Sequence, residues 1–95
     1  MNRTLVIVPA AEAEIDQAAE WYYQRNGVAA SGFRIAVDRA LDFILERPEQ
    51  YQIVYRQTRR VLVGEYPYAL FYTVTDTQVI VLSCFHTARN PNLWR

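Results

Sequence analysis

Lysine is absent from this sequence. All ten basic residues are Arg, set against ten acidic residues, so the 95-residue chain has no formal net charge. A zero balance speaks against affinity built on many phosphate contacts spread over the surface. An all-Arg set is also what GC-rich coding produces. Arg differs from Lys in its chemistry, however: its planar fork binds carboxylate or phosphate in pairs and stays charged when buried. A local basic patch therefore remains open.

Cysteine is nearly absent too. Cys84 is the only one, which excludes an intramolecular disulfide, and its place in the run Val79–Phe85 reads as a small core residue. His86 is the only histidine. One His and one Cys do not make a metal site without carboxylates gathered round them, and no carboxylate–His spacing suggests that, so no metal is expected. Glycine is scarce, with only Gly27, Gly32 and Gly64, and these cannot form a phosphate-cradling loop. No cofactor is expected. A Ser-His-Asp triad would need His86 with Ser31 or Ser83, and alternation along a strand turns Ser83 away from His86. Long apolar runs are missing as well. Only four apolar residues precede Pro9, too few for a secretory h-region, and nothing approaches the ~18 residues of a membrane span. The expected location is the cytoplasm, with no membrane partner.

What remains is core material. Half of the chain is hydrophobic and 14% is aromatic, enough for one compact domain over residues 1–95. Leu5–Val8 is a short β-branched run stopped by Pro9 and reads as a strand. Residues 10–26 predict a helix with Ala11, Ile15, Ala18, Ala19 and Tyr22 on one face. Glu12, Glu14 and Asp16 near its start and Arg25 near its end suit the helix dipole. Gly27 reads as its stop. A second helix begins at Ala29 or Ser31 and runs to Arg47, with Phe33, Ala36, Val37, Ala40, Leu41, Ile44 and Leu45 as its apolar stripe. Pro48 ends it. Arg34 and Asp38 are spaced to pair on its exposed face.

From Tyr51 the period becomes two. Strands are predicted at 52–57, 60–66, 69–75 and 79–86, with turns at 57–59 and 75–77. Pro67 either separates the middle two strands or bends one long strand. The order gives an α+β fold: an N-terminal strand, then an antiparallel helical hairpin packed on one face of an antiparallel β-meander sheet. The first strand joins that sheet at an edge or inside it. The tail from Thr87 to Arg95 has no periodicity.

Chemistry concentrates near the end of the last strand, where His86, Arg89 and Trp94 follow the apolar run. Strict alternation places Ile80, Leu82, Cys84 and His86 on one face and Val79, Val81, Ser83 and Phe85 on the other. His86 suits either a general acid or base or a backbone hydrogen bond that orders the tail turn. Arg59 and Arg60, read as a hairpin turn with Arg56 just before it, form a cationic surface with Arg89 or else a solvated turn. Tyr66, Tyr68, Phe71 and Tyr72, around Pro67, suit core packing better than base stacking.

Three passages carry a family resemblance. They are Ala10–Ile15 leading to Trp21-Tyr22-Tyr23, then Arg59-Arg60 through Tyr66-Pro67-Tyr68 to Tyr72, and Val79–Leu82 through His86-Thr87-Ala88-Arg89-Asn90-Pro91-Asn92-Leu93-Trp94. In this order they resemble the RelE/ParE toxin superfamily, in the branch called plasmid stabilisation proteins. The His-to-Trp ending is the most specific part. The resemblance implies the same helical hairpin on a sheet. It also implies a cognate protein antitoxin that wraps the toxin in a hetero-oligomer, by adding a helix and often a strand.

The superfamily divides in activity. RelE-like members cut messenger RNA on the ribosome, and ParE-like members poison DNA gyrase. Ribosome-dependent cutters have a Tyr-Arg-Leu-Val-Tyr stretch whose Arg stabilises charge on the phosphate. Here the stretch is Tyr68-Ala69-Leu70-Phe71-Tyr72, with Ala69 in place of that Arg, and the RelE-type lysines are missing. Losing one preorganised donor costs about 3–4 kcal/mol of transition-state stabilisation. The resemblance therefore favours a ParE-like gyrase inhibitor with Arg59, Arg60, His86, Arg89 and Trp94 as its target-binding surface. The alternatives are an endoribonuclease with His86 as acid or base and Arg89 as phosphate clamp, and an inactive remnant that only binds its antitoxin.

Overall fold

The computed structural model describes residues 2–88. The elements are β1 (Thr4–Ile7), α1 (Pro9–Tyr23), α2 (Gly27–Glu46), β2 (Ile53–Tyr55), β3 (Thr58–Leu62), β4 (Tyr68–Val74) and β5 (Gln78–His86). The strands form one sheet in the order β1-β5-β4-β3-β2. From β2 to β5 neighbours are antiparallel, giving the expected meander. The first strand takes the edge beside β5 and runs parallel to it, which makes the sheet mixed. Parallel pairing follows from the route: the chain leaves β1 through the helical hairpin and the meander before β5 returns beside it.

The helical faces follow the spacing in the sequence. Ala11, Ile15, Ala18 and Ala19 of α1 are buried, as are Phe33, Val37, Ala40, Leu41 and Ile44 of α2. They pack with Val61, Val63, Leu70, Tyr72, Val79 and Val81 of the sheet in one core. Fully buried side chains such as Phe33, Ile44 and Leu70 each contribute about 2–3 kcal/mol of hydrophobic stabilisation. Tyr22, Phe33, Tyr66 and Tyr68 meet in an aromatic cluster with centroids 5.2–6.2 Å apart.

Four local expectations are corrected. Gly27 does not stop α1; it is the first residue of α2. The Asn26 side chain takes over there, its Oδ1 accepting the N–H groups of Val28 at 2.9 Å and Ala29 at 3.4 Å. An N-cap of this kind satisfies two donors that the helix start leaves orphaned. Arg34 reaches across the hairpin to Asp16 at 3.3 Å, not along α2 to Asp38. Both partners are largely exposed, so the pair adds little stability. The turn before β3 is Arg56-Gln57, with Arg56 in left-handed backbone at φ 51°. Arg59 and Arg60 therefore lie inside a strand. Finally, β3 ends at Leu62, and a separate turn containing Gly64 at φ 52° leads through Pro67 to β4.

The largest departure from the expected pattern is a β-bulge. Phe71 pairs with Ser83 but Tyr72 pairs with Val81, so Leu82 is an extra residue in β5. One inserted residue reverses the alternation on either side of it. Val79 and Val81 face the helices, and beyond the bulge so do Cys84 and His86, opposite Leu70 and Tyr68. Ile80, Ser83 and Phe85 pair with Thr73, Phe71 and Ala69 and face the other side. Strict alternation grouped Ile80 and Leu82 with His86, and the bulge undoes that grouping.

Candidate target-binding surface

Arg59 and Arg60 alternate across the sheet. Arg59 lies opposite Tyr72 on the helix side. Its guanidinium donates to the carbonyls of Tyr51 at 2.6 Å and Glu49 at 3.2 Å. The Tyr72 hydroxyl donates to Pro48 O at 2.7 Å. Together these two side chains tie the connection between α2 and β2 to the sheet. Burial pushes the Tyr72 phenol up to about 12, partly offset by the Arg59 charge. Arg60 lies opposite Phe71 on the face that the helices do not cover, and its side chain is exposed.

That open face is otherwise apolar around Arg60. Leu62 pairs with Ala69, and Ala69 pairs with Phe85. Phe71 and Phe85 meet at 5.8 Å between ring centroids. Ala69 is fully buried there, so the central strand presents a methyl group at the position where the resemblance to RNA cutters calls for a guanidinium. The Ser83 hydroxyl, on the same face, is buried without a hydrogen-bond partner among the described residues.

His86 stands on the opposite, helix-facing side. Its ring meets Tyr68 edge-on at 5.1 Å. Its Nδ1 accepts the Ala88 N–H at 3.1 Å, which assigns the ring proton of the neutral form to Nε2. The backbone hydrogen bond expected of a tail-ordering histidine is therefore present. The ring also borders a shallow groove of about 390 Å³ between α1 and β5, with Glu14, Gln17, Trp21 and Cys84 among its walls.

Glu14 was not among the candidates from sequence. Past Ile7, β1 no longer covers the edge of β5. The Glu14 carboxylate takes over by accepting the Cys84 N–H at 2.9 Å. Its place in the first turns of an amphipathic helix offered no signal, because the edge it serves exists only in three dimensions. Burial, with a smaller contribution from Glu14, pushes the Cys84 thiol up to about 12, so it stays protonated near neutral pH.

The proposed surface is thus not a single patch within the described residues. Arg60 faces one side of the sheet, and Arg59 and His86 face the other, separated by β4. Arg89 and Trp94 lie outside the described residues. Among the described residues no cluster of three His, Cys, Asp or Glu side chains is placed to hold a metal ion. No helix among them is long and apolar enough to cross a membrane.

This geometry can be set beside known proteins. The model of the ParE toxin of the type II toxin–antitoxin system parDE matches residues 5–91. The chain belongs to the ParE toxin family. It is thereby the toxin component of a type II toxin–antitoxin system. Among solved structures, the chromosomal ParDE toxin–antitoxin system from P. aeruginosa superposes with a TM-score of 0.78 at 14% identity, over 88% of this chain and 95% of that one. The YoeB dimer from Staphylococcus aureus superposes with a TM-score of 0.59 at 16% identity, over the same shares. At these identities the likenesses establish the shared fold. No curated protein matches the sequence.

Proposed function

We propose that this ParE-family toxin acts by binding DNA gyrase and not by cutting RNA, and that its cognate antitoxin holds it silent in a hetero-oligomer in the cytoplasm. One observation carries the choice. On the face of the sheet away from the helices, fully buried Ala69 occupies the place of the phosphate-stabilising Arg, and the flanking positions are exposed Leu62, buried Phe71 and half-buried Phe85. Arg59 does not supply the missing charge, because it lies on the helix-facing side of the sheet, where its Nη1 donates to two backbone carbonyls. Among the described residues, apolar side chains around the exposed guanidinium of Arg60 suit anchoring on a protein better than stabilising a phosphorane. Arg60 would provide charge complementarity, with Arg89 and Trp94 as further contacts.

The endoribonuclease reading keeps one observation in its favour. His86 borders a groove with its ring proton assigned to Nε2, a position suited to an acid–base role with Arg89 as the phosphate clamp. Two assays on purified toxin separate the readings. The gyrase reading expects inhibited supercoiling with accumulation of cleaved DNA, and intact message on translating ribosomes. Cleaved message with unaffected supercoiling would overturn it.

A further inference from the structure

The sheet has an edge that no strand covers among the described residues. β1 pairs with β5 from Gln78 to Val81, with a last bond from the Val8 N–H to the Val81 carbonyl at 3.1 Å. β5 itself runs on to His86. β4 lies along its other side, so residues 82–86 form an outer edge. The composition of this strand makes a bare edge hazardous. Val79-Ile80-Val81-Leu82-Ser83-Cys84-Phe85 holds no charge, no Pro and no Gly. An uncharged run of this kind, rich in β-branched residues, pairs with its own copies when its edge is left open.

A carboxylate meets this edge. The Oε1 of half-buried Glu14, on α1, accepts the Cys84 N–H at 2.9 Å, across 70 residues of sequence. Ala11 and Ala18, one turn to either side of Glu14, are small and buried, which lets the helix lie close to the strand. A groove of about 390 Å³ opens between α1 and β5 at this point, so packing alone does not seal the edge.

We propose that Glu14 is an edge guard: its carboxylate holds the Cys84 N–H so that the β5 edge of a second copy of this chain cannot pair there, and the toxin stays monomeric. The inference goes beyond the functional reading and is independent of the toxin's target. The N–H and C=O of one strand residue point to the same side, so an added strand would need the Cys84 N–H for its own carbonyl. It would have to strip the carboxylate of a charge-assisted bond and leave the charge half-buried and unpaired. Two-fold antiparallel pairing of two β5 edges about Cys84 would also bring two Glu14 carboxylates together. Like charges set against each other in an interface disfavour it strongly.

The test uses the full chain in reducing buffer, so that no Cys84 disulfide contributes. Glu14→Ala and Glu14→Gln are compared with the unaltered chain and with Glu12→Ala, an exposed acid on the same helix. Circular dichroism and thermal melts establish folding, amide hydrogen exchange reports on Cys84, and sedimentation velocity reports on association. In dilute solution Glu14→Ala is expected to exchange the Cys84 amide roughly tenfold faster or more than the unaltered chain. At higher concentration it is expected to form dimers or larger species in which Cys84 is protected again. Glu14→Gln keeps an acceptor without the charge and is expected to fall between, while the unaltered chain and Glu12→Ala stay monomeric. Should Glu14→Ala fail to fold, Glu14→Gln is read by the same two measurements. A folded Glu14 variant that exchanges Cys84 rapidly yet stays monomeric would overturn the guard and leave the bond a purely stabilising one. Unchanged exchange at Cys84, association that leaves Cys84 unprotected, or an unaltered chain already paired through β5 would overturn it as well.

Discussion

Removing the Arg59 side chain leaves the carbonyls of Glu49 and Tyr51 without their donor and loosens the connection to β2. Hydrogen bonds from a charged donor are each worth about 1.5–3 kcal/mol. Arg59→Ala is therefore expected to lower stability by about 2–3 kcal/mol in urea titrations. Arg60→Ala, one residue along the same strand but on the exposed face, is expected to change stability by less than about 0.5 kcal/mol and to weaken target inhibition. If Arg60→Ala unfolded the protein while Arg59→Ala did not, their assignments would be reversed. Burial sets a second prediction at this scale. Tyr72 and Cys84 hold their protons up to about pH 12, whereas the ordinary values are 10.0 and 9.0. Below both ordinary values the folded and unfolded chains are equally protonated at these groups. As pH rises, the unfolded chain ionises first, so folding is progressively disfavoured. Stability should decline from about pH 9 through pH 12, and Cys84→Ala should delay the onset to about pH 10. Urea midpoints measured across this range provide the check.

Among the elements, α2 passes close to the turn between β3 and β4 at Gly32. A Cβ there would collide with the Tyr66 hydroxyl, which donates to Ala29 O at 3.1 Å. Gly32→Ala should gain helix propensity of about 1 kcal/mol yet destabilise the protein, because Tyr66 must give up its bond. In a Tyr66→Phe background the same change should become neutral or stabilising. A double-mutant cycle in urea measures the coupling, and additivity would contradict the contact. The two elements most legible in the sequence were these helices, since their apolar stripes repeat at the helical period and one buried face reads directly from spacing. The meander was legible for the same reason at period two. The bulge at Leu82 was not, because an inserted apolar residue among Val81, Ser83 and Cys84 looks like any other strand position. Its consequence was large: alternation groups the residues correctly within each half of β5 but not across the bulge. The parallel edge position of β1 was also hidden, since Leu5–Val8 would suit either neighbour. Arg59 and Arg60 were found as a pair, but a one-residue shift in the turn decides that one is structural and the other faces outward. Glu14 was missed because its partner is a backbone group 70 residues away.

Across the whole molecule, zero net charge conceals a polarity. The helix α1 carries Glu12, Glu14, Asp16 and Glu20 with no basic residue, while Arg56, Arg59 and Arg60 cluster in and before β3. An acidic helical layer backs a sheet whose far face, among the described residues, carries apolar side chains and the exposed Arg60. The central claim concerns which cellular process the open face stops. Induced expression of the toxin alone, with parallel pulse labelling of DNA and protein synthesis, tests it most directly. A gyrase poison predicts that DNA synthesis fails first, with a damage response and intact transcripts. Protein synthesis failing first, with cut messenger RNA, would contradict the account and return His86 and Arg89 to the centre of the mechanism.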